Sequence, residues 1–431
     1  MRNKLSLLLL LAFFMPFFAL GQNVKIVGKT NRPNALIRLL SCDDQLTDWQ
    51  TEIAETHADK DGNFSFEATV NDITPVIIAV NLERADMIIC PDANYNIDID
   101  IAERRADVSY FEKDAPTLAF NTIDDGGFYA QYLAVEEYVN DFIYDNIYRI
   151  ARERNLALLD TLDNQLNKNF GAIKSKYIND YVKYRKASVV MAVNVKKTIS
   201  EYFDNQEVLY SLPAYMEVFQ ELFKNDFNDN DFLSRNQQLA ELIKINKIKK
   251  RFFSNTCDKK TALKELEEIK KTTKYQKNKA VATNMAKVLD DMTYDSQAPD
   301  FSLKDKNGKM VQLSDYQNDM VLLQFVDHYS SLNDYEFSVL NELQKQWNDT
   351  IKVVTIATKE SFKEYVQIFD NQGYKWTLLN LDDNILLLEK YHVMMCPTYV
   401  ILKKKCRVGM APAPSPDHNL DIHVRRISKY L

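Results

Sequence analysis

Glycine is scarce in this chain, with 9 residues among 431. Loops that hold phosphate groups depend on closely spaced glycines, and neither G-x-G-x-x-G nor G-x-x-x-x-G-K-[ST] occurs. A C-x-x-C pair is also missing, because the five cysteines stand apart at positions 42, 90, 257, 396 and 406. The sequence therefore excludes a zinc ribbon and a vicinal dithiol.

The chain has no excess of basic residues. Its 54 lysines and arginines face 61 aspartates and glutamates, which gives a formal net charge of −7 at pH 7. This balance opposes binding to nucleic acid or to an anionic membrane surface. The five histidines are dispersed, and none pairs with a second ligand at metal spacing. We therefore predict no metal site and no cofactor.

Long apolar runs are missing after the first 21 residues, and those residues resemble a secretory leader. Arg2 and Lys4 form a basic start, residues 5–20 are almost entirely apolar, and Ala19-Leu20-Gly21 offers small residues for a signal peptidase. A membrane anchor is the alternative, but the run is short for a span of about 18–20 residues and contains a proline. The sequence predicts a periplasmic protein that begins near Gln22 and has no membrane span after cleavage.

Three regions follow the leader. Residues 22–115 predict a small β-sandwich, residues 116–295 a helical domain, and residues 296–431 an α/β domain. Asp59-Lys60-Asp61-Gly62 separates two β-type segments, and this turn chemistry favours a hairpin. A calcium loop is the alternative, but the spacing of its acids is wrong and no glutamate closes it.

Cys42 and Cys90 stand at the ends of two predicted strands. A disulfide between them would stabilise the fold by about 4 kcal/mol on the chain-entropy model. Two buried free thiols that pack as small hydrophobic groups are the other interpretation.

The central region shows helical periodicity. Apolar side chains recur at spacings of three and four, which predicts a helix face that packs into a core: Leu159, Leu162, Leu166, Phe170, Ile173, Tyr177 and Tyr181. Two lysine-rich clusters, around 244–251 and 270–279, fit a solvated helix face or a surface for an acidic partner.

From Ala298 onward the chain alternates strands and helices and carries a recognisable set of landmarks. In order these are Ala298-Pro-Asp-Phe-Ser-Leu, Gly308-Lys, Leu313-Ser-Asp-Tyr316, a buried strand ending at Phe325, Glu336, and Cys396-Pro397-Thr398. Together they resemble the exported multidomain thioredoxin-like proteins, the TlpA-type thiol–disulfide oxidoreductases or redoxins. The resemblance implies a thioredoxin-like fold with a cis-proline at Pro397.

The chain departs from that family at the redox site. The resemblance places the family's dithiol at Ser330 and Asn333, and neither side chain can form a disulfide. Three interpretations of the segment remain. The residues cap the helix that follows; Asp327, His328 and Ser330 form a hydrolase site, although no G-x-S-x-G elbow holds the serine; or Cys396 acts as a single thiol facing the vacant positions.

Three functions fit these features. The first is a non-catalytic binding or scaffolding module, which would dock an extended protein or peptide segment by strand addition. Its surface would comprise Tyr329, Ser330, Met394, Met395, Cys396 and Pro397. The alternatives are a redoxin-type enzyme with residual monothiol activity at Cys396, and an architectural subunit that acts through its first two domains.

Overall fold

The computed structural model describes residues 22–102, 116–224, 227–328, 331–347, 350–382 and 384–428, with the backbone alone at residue 22 and at 331–333. The predicted leader, 1–21, lies outside these residues. So do Tyr329 and Ser330, two of the predicted site residues.

The N-terminal region is a sandwich of two four-stranded sheets. Their strand orders are β4-β1-β7-β8 and β3-β2-β5-β6. Strands such as Asn63–Val70 alternate buried and exposed residues, because one face of the sheet meets the other sheet and one meets solvent. The strands are β1 (Gln22–Thr30), β2 (Leu36–Cys42), β3 (Gln50–His57), β4 (Asn63–Val70), β5 (Thr74–Val80), β6 (Glu83–Ile89), β7 (Asn94–Asp100) and β8 (Thr117–Asp124).

The turn at Asp59–Gly62 does not join a hairpin, and that prediction is wrong. Strand β3 pairs with β2, whereas β4 pairs with β1 in the other sheet. The local chemistry is that of a tight turn: the Asp59 carboxylate accepts hydrogen bonds from the N–H groups of Asp61 and Asn63, each 2.8 Å long, and Gly62 has a φ of 86°. The turn therefore carries the chain from one sheet to the other.

Strand β8 places the end of the sandwich later than the sequence suggests. It pairs antiparallel with β7, from Asn94 opposite Asp124 to Asp100 opposite Thr117. The boundary predicted between residues 115 and 116 therefore falls after Asp124 in the structure. Its apolar residues Leu118, Phe120 and Ile123 are only half-buried.

Cys42 and Cys90 are both free and buried. Of the two interpretations, the structure thus has the pair of packed thiols and not the disulfide. The Cys42 thiol donates a hydrogen bond to the carbonyl of Asp44 over 3.3 Å.

The central region is helical. The helices among its described residues are α1 (Phe128–Ala151), α2 (Ala157–Phe170), α3 (Lys176–Val193), α4 (Val195–Tyr202), α5 (Pro213–Leu222), α6 (Asn230–Arg235), α7 (Gln237–Phe253), α8 (Lys259–Thr272) and α9 (Gln276–Asp290). The predicted apolar stripe spans two helices, because α2 ends at Phe170, before the C-cap Gly171, and α3 begins after Ser175, whose hydroxyl accepts from the N–H of Ile178. Leu159, Leu162 and Leu166 are buried, as predicted.

The C-terminal region is a seven-stranded sheet in the order β10-β9-β13-β12-β11-β14-β15. The three central strands, β11, β12 and β13, are parallel, and β14 runs antiparallel to β11. The elements are β9 (Ser302–Asp305), β10 (Met310–Gln312), β11 (Met320–Val326), α10 (Ser331–Trp347), β12 (Ile351–Ala357), α11 (Phe362–Gln372), β13 (Thr377–Asn380), α12 (Leu386–Lys390), β14 (Thr398–Lys403), β15 (Arg407–Ala413) and α13 (Leu420–Ser428).

Alternate residues of β11 pack into two separate hydrophobic cores, one on each face of this sheet. Val321, Leu323 and Phe325 pack into one, and Leu322 and Val326 into the other. All seven residues of β11 are buried, as expected for a strand covered on both sides. The predicted architecture is confirmed: an N-terminal β-sandwich, a central α-helical region and a C-terminal α/β thioredoxin-like domain. Among the described helices, none has the length and apolarity needed to cross a bilayer.

Candidate functional site

Sheet register brings two loops of the C-terminal domain together. Strands β11 and β14 are antiparallel, with Phe325 opposite Thr398. The residues that follow Phe325 and those that precede Thr398 therefore leave the sheet at the same edge. One loop leads from β11 into α10, and the other, residues 392–397, leads from α12 into β14. We call residues 394–397 the Met-Met-Cys-Pro loop.

The Met-Met-Cys-Pro loop exposes two large apolar side chains. Met394 is 72% exposed and Met395 is 62% exposed. Cys396 is half-buried and packs against the core below. The peptide bond between Cys396 and Pro397 is cis, which is the geometry that the resemblance implies. Thr398 fixes the loop end, because its hydroxyl donates to the Met395 carbonyl over 2.5 Å.

A buried polar cluster lies beside this loop. The hydroxyl of Thr358 donates to the Asp327 carboxylate over 2.7 Å and contacts the hydroxyl of Ser361 at 2.8 Å. The Thr358 N–H also donates to the carbonyl of Val326, 3.1 Å away. Asp327 is 5% exposed, whereas His328 is exposed. The hydrolase interpretation stays untested, since Ser330 lies outside the described residues.

A second network of hydrogen bonds between side chains crosses the sheet and ends at Glu336 on α10. The Tyr399 hydroxyl donates to the Glu336 carboxylate over 2.8 Å and accepts from the Gln324 amide at 3.0 Å. The amide oxygen of Gln324 accepts from Thr355, which in turn accepts from the Trp376 indole, each over 2.9 Å. Burial raises the pKa of Glu336, although the bond from Tyr399 opposes the rise. Each of these five side chains thus has a hydrogen-bond partner inside the domain.

Contacts between charged or titratable side chains hold the helix and turn that lead into the Met-Met-Cys-Pro loop. Glu389 on α12 accepts from Arg38 of the β-sandwich at 2.8 and 3.3 Å, and it lies 3.1 Å from Arg84. Burial alone would raise the pKa of Glu389, but the bonds and charges of the two arginines hold it below its ordinary value. His392, two residues before the loop, lies 2.9 Å from Asp291 at the end of α9.

The predicted site residues fall into three groups. Met395, Cys396 and Pro397 lie together on the Met-Met-Cys-Pro loop. Asn333 lies in the first turn of α10, where only the backbone is described. Tyr329 and Ser330 cannot be placed, because they lie outside the described residues.

Sequence reasoning missed the anchors of this site. Arg38 and Arg84 carry no local pattern that points to the distant Glu389, and the pairing depends on how whole domains pack. The hydrogen-bond network around Gln324 left only a weak indication in the sequence. A glutamine and a threonine inside otherwise apolar strands, as at Gln324 and Thr355, require buried partners.

The C-terminal domain matches known proteins. The model of the AhpC/TSA family matches residues 294–410. The thioredoxin-like protein YneN of Bacillus subtilis (strain 168) is 33% identical over 133 residues, which cover 29% of this chain and 78% of that protein. The chain belongs to the thioredoxin-like redoxin family. The match covers the C-terminal domain, while the β-sandwich and helical regions lie outside it.

Several solved structures are similar to this domain. The thioredoxin domain of a thiol-disulfide oxidoreductase from Bacteroides vulgatus is 17% identical and covers 31% of this chain and 98% of its own, with a TM-score of 0.29. A thiol:disulfide interchange protein from Bacteroides sp. is 16% identical, covers 32% and 91%, and has a TM-score of 0.29. The exposed lipoprotein thioredoxin Etrx1 of Streptococcus pneumoniae strain TIGR4 is 25% identical, covers 30% and 99%, and has a TM-score of 0.25.

Proposed function

We propose that this chain is an exported thioredoxin-fold protein that binds an extended polypeptide segment and does not catalyse thiol–disulfide exchange. The observation that carries the proposal is the Met-Met-Cys-Pro loop, which presents Met394 and Met395 to solvent. Methionine side chains adapt to varied apolar partners and are enriched at protein interfaces.

The backbone of the loop supports the same function. Within the described part of the chain, no backbone carbonyl accepts a hydrogen bond from the N–H of Met394 or Met395. These two donors are available to an extended segment that adds alongside the loop, since strand addition relies on main-chain hydrogen bonds. Thr398 begins β14, which already pairs on both sides with β11 and β15. The loop, not the strand, therefore offers the docking edge.

The lack of a dithiol is the reason to propose binding without catalysis. Exchange needs an attacking thiolate and a second thiol that resolves the mixed disulfide. This chain contains no C-x-x-C, and the family resemblance puts the dithiol at Ser330 and Asn333. Export to the periplasm is proposed from the leader-like residues 1–21.

The alternative is a redoxin-type enzyme with residual monothiol activity. Cys396 is a half-buried cysteine outside any disulfide on the exposed loop, so a partner disulfide could capture its thiol. The product would be a mixed disulfide between Cys396 and one sulfur of the partner, with the other sulfur leaving as a thiolate that takes up a proton.

The test uses an array of overlapping peptides and the mature protein that begins at Gln22. We expect a subset of extended apolar peptides to bind, and Met395→Asp to abolish their binding. Met310→Asp is the matched control, because Met310 is an exposed methionine on β10 of the same domain. Equal binding by both variants and the native chain would contradict the proposal.

An insulin-reduction assay separates the two functions. We expect no turnover above background from the native protein. Turnover that disappears in Cys396→Ser would establish the monothiol alternative and remove the non-catalytic proposal. Peptide binding that survives in Cys396→Ser is expected if the loop acts through its backbone and methionines.

A further inference from the structure

A cavity of about 670 Å³ lies between the β-sandwich and the helical region, far from the Met-Met-Cys-Pro loop in sequence and outside the family match. Its floor is the outer face of the sheet that contains β5 and β6. Pro75 pairs with Ile88 there, and Ile77 with Asp86, so these four side chains point to one face. Cavities of this size at domain interfaces hold small organic ligands.

The opposite wall is built from tyrosines of α1 and α3. The ring centroid of Tyr132 lies 5.4 Å from that of Tyr181 and 6.0 Å from that of Tyr177, with interplanar angles of 69° and 64°. Tyr129 also lines the cavity. Tyr132 contacts Tyr177 and Tyr181 edge to face, and a tyrosine ring attracts a cation that lies within about 6 Å of its face.

The carboxylate of Glu136 lies at the centre of this wall. It accepts a hydrogen bond from the Tyr132 hydroxyl over 2.8 Å. Burial, followed by the nearby charge of Glu136, raises the pKa of the hydroxyls of Tyr129, Tyr132 and Tyr177, and raises that of Tyr181 to about 12. The Glu136 carboxylate is therefore close enough to interact electrostatically with the neutral hydroxyl groups of all four tyrosines.

The charge of the lining is negative. Asp48, Asp86, Glu136 and Glu217 contribute carboxylates, and among the described lining residues the single guanidinium is that of Arg185. Arg185 donates through Nη2 to the Asn140 side chain over 2.9 Å, and its Nη1 lies 3.9 Å from Glu217, while its buried Nε has no hydrogen-bond partner among the described residues. An anionic ligand would meet mostly like charge here, whereas a cation would meet carboxylates and aromatic faces.

We propose that this cavity binds a primary ammonium group carried on an aliphatic chain. The ammonium group pairs with the Glu136 carboxylate among the tyrosine rings. The aliphatic chain lies on the apolar floor of Pro75, Ile77 and Ile88. Two sources share this chemistry, a free diamine and the lysine side chain of a polypeptide, and they are separated by the probes below.

The first experiment is a calorimetric titration of the mature protein at low ionic strength with cadaverine and with the peptide Gly-Gly-Lys-Gly-Gly. We expect saturable binding of at least one probe with a Kd below about 1 mM. Tighter binding of cadaverine identifies a free diamine, and tighter binding of the peptide identifies a lysine side chain. Neutral 1,5-pentanediol, of the same length, should not bind.

The second experiment uses a matched pair of variants. Glu136→Gln keeps a hydrogen-bond acceptor for Tyr132 but removes the charge, so we expect affinity to fall at least about tenfold. Glu137→Gln removes the same charge from the next residue of α1, which is exposed and outside the lining, and should bind as the native protein does. If Glu136→Gln does not fold, Asp86→Asn takes its place.

Three results would overturn the proposal. The first is no saturable binding of either probe up to about 10 mM. The second is equal binding of pentanediol, which would show that the charge is not recognised. The third is unchanged affinity in folded Glu136→Gln.

Discussion

The guanidinium of Arg38 and the carboxylate of Glu389 are joined by two hydrogen bonds across 351 residues of sequence. Arg38 lies on β2 of the sandwich and is 5% exposed, so its charge has lost nearly all contact with water. Glu389 lies on α12, the helix that leads into the Met-Met-Cys-Pro loop. The first domain thereby holds the element that positions the proposed docking edge of the third.

Replacing Glu389 with glutamine should destabilise the protein by about 2 kcal/mol, because Arg38 keeps its buried charge and loses the opposite one. Thermal unfolding would measure the change. Glu364→Gln, an exposed acid on α11, should leave stability unchanged. Glu389 has its pKa held below the ordinary 4.5, so its contribution exists above pH 4.5 and is lost as pH falls through the lowered pKa. A destabilisation that stayed constant down to that range would contradict the ion pair.

The contact between His392 and Asp291 should make stability fall as pH rises. The bond and charge of Asp291 raise the pKa of His392 above 6.5 against the effect of burial, and the charge of Glu389 adds to the rise. A raised folded pKa means that the stabilisation is complete below pH 6.5 and is lost as pH rises through the folded pKa. Urea unfolding between pH 6 and about 8.5 should show this slope in the native protein and a smaller slope in His392→Gln. His57→Gln, at an exposed position on β3, should keep the native slope.

Tyr399→Phe should destabilise the C-terminal domain by about 1–3 kcal/mol at neutral pH, since it removes the donor to a buried carboxylate and the acceptor of Gln324. The pKa of Glu336 already lies above 4.5, and loss of the hydroxyl raises it further. The folded variant therefore takes up a proton at Glu336 more readily than the unfolded chain does, and the destabilisation should shrink as pH is lowered toward 4.5. Urea unfolding of Tyr399→Phe beside Tyr335→Phe, an exposed tyrosine on α10, provides the check. Equal effects of the two variants would argue against the network.

The cysteines should differ in reactivity toward a thiol reagent at pH 8. Burial raises the pKa of Cys42 to about 12 and that of Cys90 to about 11, so neither forms an appreciable thiolate. Cys257 and Cys396 are only half-buried and should be modified first. Mass spectrometry of partially labelled protein identifies the sites. Modification of Cys42 or Cys90 in the folded protein, or a disulfide between them, would contradict the structure.

Local sequence patterns were sufficient to predict individual strands and turns, but not which strands pair with one another. The alternation in Asn63–Val70 and the turn chemistry of Asp59–Gly62 predict a strand and a turn, and both are present. They do not say which strand lies alongside, because hydrogen bonds between strands are made by the backbone and carry little side-chain identity. The hairpin prediction failed at that step.

The candidate site shows the same division. Met395, Cys396 and Pro397 could be predicted together because they are adjacent in the chain and the family resemblance covers them. The contacts of Glu389 and His392 could not, since each depends on a domain packed from distant sequence. The tyrosine-lined cavity was also beyond prediction. Its aromatic residues read simply as helix core, and only the packing of α1 and α3 over β5 and β6 leaves them facing a space.

Contacts join every pair of the three domains. Asn284 of the helical region donates to Asp44 of the sandwich over 2.9 Å, Asp295 in the connection after α9 pairs with Lys403 of the C-terminal sheet, and Arg38 binds Glu389. Each of the three domains is thus in contact with the other two. A domain that contacted only its neighbour along the chain could rotate about the linker between them. Rotation of any of these three domains would instead break its contacts with both of the others. Movement of the Met-Met-Cys-Pro loop relative to the cavity would therefore require some of these contacts to break.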